Sequence, residues 1–172
     1  MDVNDVLARI PADMWATPYA GARFPGSAAV RDRPGLTDGA NCQLFAYAVL
    51  ELFGLAPEAW RSSDLWADAR RTRRVTVAQP LDLALFNATD EAWGAHIGVV
   101  VGQDRILHLC AEAGRPAVWT MGEFAARDRY RTLLGFKRML RCPWEDREGR
   151  EDPETPESPE ETMPRQAEPP PG

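Results

Sequence analysis

The chain has few cysteines, few histidines and no long apolar run. Its 172 residues include three cysteines and two histidines. Three cysteines do not form the disulfide framework of a small secreted domain, so we expect free thiols and a reducing compartment. No stretch approaches 18 consecutive apolar residues, and the sequence therefore predicts no transmembrane helix. The first five residues are acidic and lack the apolar core of a secretory signal, which favours a cytoplasmic location.

The negative charge is concentrated at the C-terminal end. The formal net charge is -6, but residues 145–172 carry ten Asp or Glu and three Arg, a net of -7, which leaves about +1 for residues 1–144. A nearly neutral folded part indicates no nucleic-acid partner and no membrane partner. The same segment holds seven of the fifteen prolines and buries too little apolar surface to fold. We predict one domain over residues 1–144 and a disordered tail over 145–172.

Hydrophobic spacing predicts helices followed by strands. The best-defined helix starts after Asn41, a capping residue, carries apolar residues at helical spacing from Leu44 to Leu52, and stops at Gly54. Alternating patterns and turn residues predict an antiparallel sheet and an α+β fold. The other predicted helices are near 3–10, 57–69 and 121–127, and the predicted strands are 74–78, 83–87, 96–101, 105–110 and 134–141.

Three residues in this pattern suit nucleophilic catalysis by a thiol. Cys42 opens the capped helix, and the two histidines, His96 and His108, occupy consecutive strands. A helix N-terminus and a neighbouring imidazolium both favour the thiolate, which is the reactive form of cysteine. A second histidine can orient the first. Each residue alone is more often part of a core, but the three together favour a thiol hydrolase.

The register of the hairpin decides whether the two histidines meet. A two-residue loop at Gln103–Asp104 places His108 opposite Val99, on the wrong face of the sheet. A loop with an odd number of residues, or a bulge, places it opposite Gly98 and diagonal to His96, at a spacing of roughly 7 Å that permits a hydrogen bond. Catalysis requires the second arrangement.

Several segments, in this order, resemble the NlpC-type cysteine peptidases, whose members commonly cut the stem peptides of bacterial cell wall. The loop Thr17-Pro18-Tyr19 is similar to the Gly-Thr-Pro-Tyr loop of that family, and Asn41-Cys42-Gln43-Leu44 stands where it usually has Asp-Cys-Ser-Gly. Residues 81–86 resemble its Gly-Asp-Leu-Val-Phe-Phe strand, and residues 95–99 its Ser-His-Val-Gly-Ile strand. His108, twelve residues after His96, matches the position of its third polar residue.

This resemblance implies a papain-like NlpC-type fold, with N-terminal helices packed on an antiparallel sheet of five or six strands. Cys42 would be the nucleophile, His96 the general base and then acid, and His108 the group that holds the imidazole. The substrate-binding residues would be Tyr19, Asn41 and Gln43, to which we add Trp93 because it lies three residues before His96. The predicted substrate is a muropeptide-like or other small peptide or amide, with no cofactor and no metal.

Two alternatives remain open at this point. Asn41 and Gln43 replace the Asp and Ser that help the family receive the amino end of its substrate, which motivates a non-catalytic peptide-binding module on the same fold. A zinc site made of Cys42, His96 and His108 has suitable ligand types, but it lacks the closely spaced ligand pairs of known sites and an evident fourth ligand.

Overall fold

The computed structural model describes residues 3–55 and 57–140, which form six helices and six strands. The predicted tail and the predicted domain end at residue 144 lie outside this part of the chain. No helix within these two ranges is both long and apolar enough to cross a membrane. The helices are α1 Val3–Ala8, α2 Ala12–Trp15, α3 Ala28–Asp32, α4 Cys42–Glu51, α5 Ser62–Ala67 and α6 Met121–Ala125. The strands are β1 Thr72–Val75, β2 Leu83–Asn87, β3 His96–Gly102, β4 Arg105–Leu109, β5 Pro116–Trp119 and β6 Thr132–Met139.

All six strands join one antiparallel sheet in the order β1-β6-β2-β3-β4-β5. The helices before β1 and the antiparallel sheet confirm the predicted α+β class. The last strand, β6, lies between β1 and β2, so the segment before it returns from the far edge of the sheet to its middle. That return places residues 129 and 130 beside strands that come much earlier in the chain.

The two faces of the sheet carry different clusters of buried side chains. One face packs against α4, whose residues Phe45 and Val49 are fully buried together with Ile97 and Val99 of β3. The opposite face is covered by α6 and carries the residues of β3 that alternate with these. Its buried apolar members are Ala84, Phe86, Val100, Ile106, Cys110, Trp119, Phe124 and Tyr130. The pleat therefore directs His96 and His108 away from the α4 face.

Several predicted elements differ in extent from the observed ones. The helix predicted over 57–69 is limited to α5, and α2, α3 and β5 were not predicted at all. Each of these elements has six residues or fewer, and β5 is an edge strand that begins with Pro116. Proline is tolerated in an edge strand because no neighbouring strand requires the N–H that it lacks. In the sequence, however, a proline predicts a turn, and β5 was therefore missed.

A buried arginine holds the loop that leads into α4. The Arg23 side chain is 6% exposed, and its backbone carbonyl accepts a hydrogen bond from the N–H of Asn41 at 2.8 Å. Its guanidinium fork satisfies carbonyl groups that would otherwise lack donors, which fixes the course of the chain just before Cys42. The carbonyls that accept from it belong to Gly39 at 2.8 Å, Ala29 at 2.9 Å, Arg33 at 2.7 Å and Gly35 at 2.9 Å.

Candidate active site

Cys42 is the first residue of α4. The Asn41 side chain accepts a hydrogen bond from the N–H of Leu44 at 2.8 Å, so it serves as the N-cap of the helix. The backbone N–H groups of Ile97 and Gln43 lie close enough to the sulfur of Cys42 to lower its pKa. Ile97 directly follows His96 in β3. The thiol of Cys42 therefore lies where the start of α4 meets the start of β3.

The two histidines contact each other directly. His96 Nε2 and His108 Nδ1 are 3.0 Å apart, a hydrogen-bond distance between ring nitrogens. The turn has two residues, Gln103 and Asp104, but the register shifts between Val100 and Gly102. This bulge aligns Val99 with Leu107 and therefore Gly98 with His108. The structure confirms the predicted bulged register.

Gly98 allows the two strands to place the histidines this close. A Cβ atom at Gly98 would lie 2.4 Å from the side chain of Ile106 and 3.2 Å from both the His108 Cβ and the Leu107 carbonyl oxygen. The first of these distances is far below van der Waals contact, so a larger residue requires the Ile106 side chain or the strand itself to move. The hydrogen bond between the two histidines depends on that absence of a side chain.

Aromatic rings enclose the histidine pair. The His96 ring lies 4.6 Å from the ring of Tyr130, and the His108 ring lies 4.2 Å from Trp119 and 4.8 Å from Phe124, measured between centroids. His108 is completely buried, and its Nε2 has no hydrogen-bond partner within the described residues. Rigid rings on several sides restrict both imidazoles to one orientation.

Burial keeps both imidazoles neutral at neutral pH. It lowers the pKa of His108 to about 3, with Arg127 adding to the effect and Glu123 opposing it. Burial also lowers the pKa of His96 well below its usual value, and the neighbouring His108 and Arg129 act in the same direction. The low-polarity surroundings penalise the imidazolium form in both cases.

Burial has the opposite effect on the thiol. It raises the pKa of Cys42, although the N–H groups of Ile97 and Gln43 lower it in part. The resting pair at pH 7 is therefore a thiol and a neutral imidazole. The start of the helix favours the thiolate, as argued from the sequence, but burial of the sulfur acts in the opposite direction and is the larger effect on the thiol pKa.

We expect the alkylation of Cys42 by iodoacetamide to accelerate with pH from 6 to 8, because the thiolate fraction grows about tenfold per unit below the thiol pKa. Cys110 is only 1% exposed and should react more slowly in the folded protein. Peptide mass mapping of timed samples measures both rates, and labelling in denaturant provides the reference. A rate at Cys42 that is constant from pH 5 to 8 would instead indicate a preformed thiolate–imidazolium pair.

Cys42 and His96 open onto a common cleft of about 210 Å³. Tyr19 also lines it, held by a hydrogen bond from its N–H to the Gly114 carbonyl at 2.9 Å. His108 lies behind His96 and does not reach the cleft surface. The other lining residues are Asn87, Ala88, Gly94, Cys110, Ala111, Arg129 and Tyr130.

Three residues predicted to bind substrate lie outside the lining of this cleft. Gln43 is 3% exposed and donates to the Tyr47 hydroxyl at 2.7 Å, because positions four apart on α4 share one face. Asn41 uses its side chain as the helix cap. Trp93 is 64% exposed, with the Arg61 guanidinium 5.3 Å from its ring centre. The structure thus assigns Gln43 and Asn41 structural contacts and leaves Trp93 at the surface beside the cleft.

Seven lining residues were not among the predicted site residues, and four of these carry polar or reactive side chains, namely Asn87, Cys110, Arg129 and Tyr130. Cys110 shares a strand face with His108, which is a signal that alternation can reveal. Arg129 and Tyr130 follow α6 in a short turn and belong to no motif, so only the return of the chain to β6 brings them to His96. Within residues 3–55 and 57–140, no three His, Cys, Asp or Glu side chains are grouped as a metal site.

The sheet order, the helix that carries Cys42 and the bulged hairpin define a papain-like α+β fold. Comparison with solved structures specifies it further. The chain is similar to a lipoprotein-like protein of the NLP/P60 family from Staphylococcus aureus, with a TM-score of 0.55, 17% identity, and coverage of 81% of this chain and 42% of that one. It is also similar to the NlpC/p60 domain of the peptidoglycan hydrolase SagA, with a TM-score of 0.50, 17% identity, and coverage of 81% of this chain and all of that one.

The chain therefore has the NlpC/p60 fold, as predicted from its sequence segments. It spans less than half the length of the Staphylococcus aureus protein and the full length of the SagA domain. No family model matches the sequence, and no protein of curated function does so either.

Proposed function

We propose that the protein is a thiol-dependent amide hydrolase in which Cys42, His96 and His108 form the catalytic triad. The observation that carries this proposal is the 3.0 Å contact between His96 Nε2 and His108 Nδ1, in a structure where His96 and Cys42 line one cleft. The hydrogen bond to His108 uses Nε2 of His96 and leaves Nδ1 free to exchange a proton with a reacting group. A triad requires this arrangement, in which one ring nitrogen orients the imidazole and the other transfers the proton.

The tautomers follow from the role of each nitrogen. A general base at Nδ1 of His96 needs a free lone pair there, so the neutral ring carries its proton on Nε2 and donates it to Nδ1 of His108. His108 then carries its own proton on Nε2, the atom without a hydrogen-bond partner among the described residues. Because His108 stays neutral, it accepts the same hydrogen bond when His96 becomes an imidazolium.

Acylation begins with transfer of the thiol proton from Cys42 to Nδ1 of His96. The sulfur attacks the amide carbonyl carbon, and the oxyanion that forms is stabilised by the backbone N–H of Cys42, which has no partner within the helix. The C–N bond then breaks, and the His96 imidazolium returns the proton to the leaving nitrogen. The products of this half-reaction are a free amine and a thioester on Cys42.

Deacylation uses the same groups in reverse. His96 removes a proton from a water molecule, whose oxygen attacks the thioester carbonyl carbon. The C–S bond breaks, the sulfur recovers its proton from His96, and a carboxylic acid leaves. His108 accepts the N–H of His96 throughout and so preserves the ring orientation that both steps need.

The substrate that we propose is a small peptide or amide. The SagA domain, which has the same fold, belongs to a peptidoglycan hydrolase, and this supports a muropeptide-like substrate for the present chain. The cleft of about 210 Å³ is suited to one or two residues of an extended peptide at a time. Cell-wall stem peptides and simple acyl amides are therefore the first compounds to test.

Trapping of the acyl-enzyme tests this proposal directly. The purified full chain is mixed with each of a panel of muropeptides and acyl amides, quenched in acid, and measured by intact mass and peptide mapping. We expect an acyl adduct on Cys42 and release of the matching amine for at least one compound. If compounds of the panel bind to the cleft but none gives an adduct or a product, the hydrolase proposal is wrong and the protein is a peptide-binding module.

A further inference from the structure

One cation of the cleft, Arg129, has no acidic partner among the residues that the structure describes. Arg129 lines the cleft and its side chain is exposed to solvent. The ten described residues that line the cleft include no Asp and no Glu. The cleft that contains Cys42 and His96 is therefore positively charged whenever His96 is neutral.

The neighbouring arginines are already occupied. Arg127 binds Glu112 through contacts of 2.8 and 2.9 Å, and Arg131 donates to the Ala88 carbonyl at 3.1 Å. The Arg129 guanidinium instead lies 5.8 Å from the ring centre of Tyr130, and within the described part of the chain it makes no hydrogen bond or ion pair. Among residues 3–55 and 57–140, no acceptor is therefore bound to its five N–H donors.

The other polar side chains of the cleft are less available to a ligand. The Asn87 amide donates to the carbonyls of Glu91 at 2.7 Å and Trp93 at 3.2 Å, and its oxygen accepts from the N–H of Ala88 at 2.9 Å. The Tyr130 side chain is buried, at 6% exposed, and its hydroxyl lies close enough to Cys110 for that thiol to raise its pKa in addition to burial. Arg129 is thus the charged group that remains to recognise a substrate.

The charge of Arg129 acts on the groups around the thiol. The pKa of His96 is lowered mainly by burial. The neighbouring His108 and Arg129 lower it further, in that order. Burial raises the pKa of Tyr130 to about 12 and also raises that of Tyr19, and in both cases Arg129 acts in the opposite direction. Anions are favoured in the whole cleft for the same reason.

We propose that Arg129 binds a carboxylate that the substrate carries close to its scissile amide, so that the substrate class is an acidic amide or peptide. This inference rests on the proposed hydrolase function. The planar guanidinium matches a carboxylate with two parallel hydrogen bonds, and an exposed arginine can adjust to the bound group. A substrate that carries only an amino group near the same bond would be repelled.

Two alkylating reagents test the inference without any need for turnover. Iodoacetate and iodoacetamide have nearly the same size, and in both the thiolate attacks the CH2 carbon and displaces iodide, but only iodoacetate carries a carboxylate beside that carbon. Their rate ratio at Cys42, divided by the ratio for the unfolded protein, therefore measures the preference of the cleft for a carboxylate. Competition between the two reagents at pH 8, read by peptide mass mapping, yields this ratio in one sample.

We expect the normalised ratio to favour iodoacetate in the wild-type protein and to fall at least about fivefold in Arg129→Gln, as estimated for one charge a few ångströms away. Arg105→Gln is the matched control, since Arg105 is an exposed arginine that does not line the cleft. Its ratio should stay at the wild-type value. Raising the salt concentration to 1 M should reduce the wild-type preference.

An unchanged ratio in Arg129→Gln would overturn the inference, and it would leave the hydrolase proposal intact because Cys42 is still alkylated. The substrate itself supplies the second readout. N-acetyl-Ala-Ala and its C-terminal carboxamide differ in one charge, and we expect Arg129→Gln to lower the kcat/KM ratio of the acid to the carboxamide. Equal effects on both compounds would also count against recognition of a carboxylate.

Discussion

Replacement of Cys42 by alanine is expected to lower kcat for any amide that the protein hydrolyses by roughly 10⁴-fold or more, because it removes the atom that attacks the carbonyl. The substitution deletes one sulfur at the cleft surface, so the melting temperature should change little. Cys110→Ala is the matched control, since it deletes the other described thiol of the same cleft. Wild-type turnover in Cys42→Ala would exclude the thiol mechanism.

The histidine variants should follow a graded order. His96→Ala is expected to lower kcat nearly as much as Cys42→Ala. The proposed mechanism uses His96 both to accept the thiol proton and to protonate the leaving amine, and the variant loses both proton transfers. His108→Gln should reduce kcat less, by about 10- to 100-fold, since its amide oxygen can accept the N–H of His96. His108→Leu offers no acceptor and should be worse than His108→Gln. Equal activity of these two variants would contradict the orienting role.

Mild acid is expected to destabilise the fold through the same two residues. The chain has no histidines other than His96 and His108, and both have a folded-state pKa below the unfolded value. Below pH 6.5 the unfolded chain binds these protons and the folded chain does not, so stability is complete above pH 6.5 and is lost as pH falls. His108 should reduce the free energy of unfolding by about 1.4 kcal/mol per pH unit, or roughly 2 kcal/mol at pH 5, and His96 should act in the same direction.

Urea unfolding at pH 7, 6.5, 6, 5.5 and 5 measures this slope. The window stays above the range where carboxylates titrate, and the pKa of Asp68 and of Glu123 are lowered further by their hydrogen bonds, against the effect of burial. His108→Gln should show a clearly smaller slope than the wild type, and the double variant His96→Gln with His108→Gln almost none. A flat wild-type curve would mean that the folded protein accepts these protons.

Much of the fold follows from patterns that are local in the chain. The helix at Cys42 was predicted because its cap, its apolar spacing and its terminating glycine lie within fifteen residues of one another. Strands β2, β3 and β4 were predicted within one or two residues, since each combines β-branched or large apolar residues with turn residues at its ends. The elements that were missed or predicted with the wrong length are the short ones, because a hydrophobic pattern of four to six residues does not distinguish a helix or strand from a loop.

The candidate site was only partly accessible to the same reasoning. Cys42, His96 and Tyr19 meet in one cleft as the segments suggested. Gln43 was predicted to bind substrate, yet Tyr47 lies on its helix face and takes its amide. Arg129 and Tyr130 carried no local signal, because their place at the cleft depends on where the chain re-enters the sheet after α6.

Which residues can react, and on which elements they stand, follows from local chemistry, since capping, alternation and turn residues act between near neighbours in the chain. Whether these residues meet, and in which protonation state, depends on packing between segments that are distant in the chain. The bulge at β3 and the absent side chain of Gly98 set the 3.0 Å contact between His96 and His108. Burial then set the direction of the pKa shifts of Cys42, His96 and His108, because desolvation depends on residues that are distant in sequence.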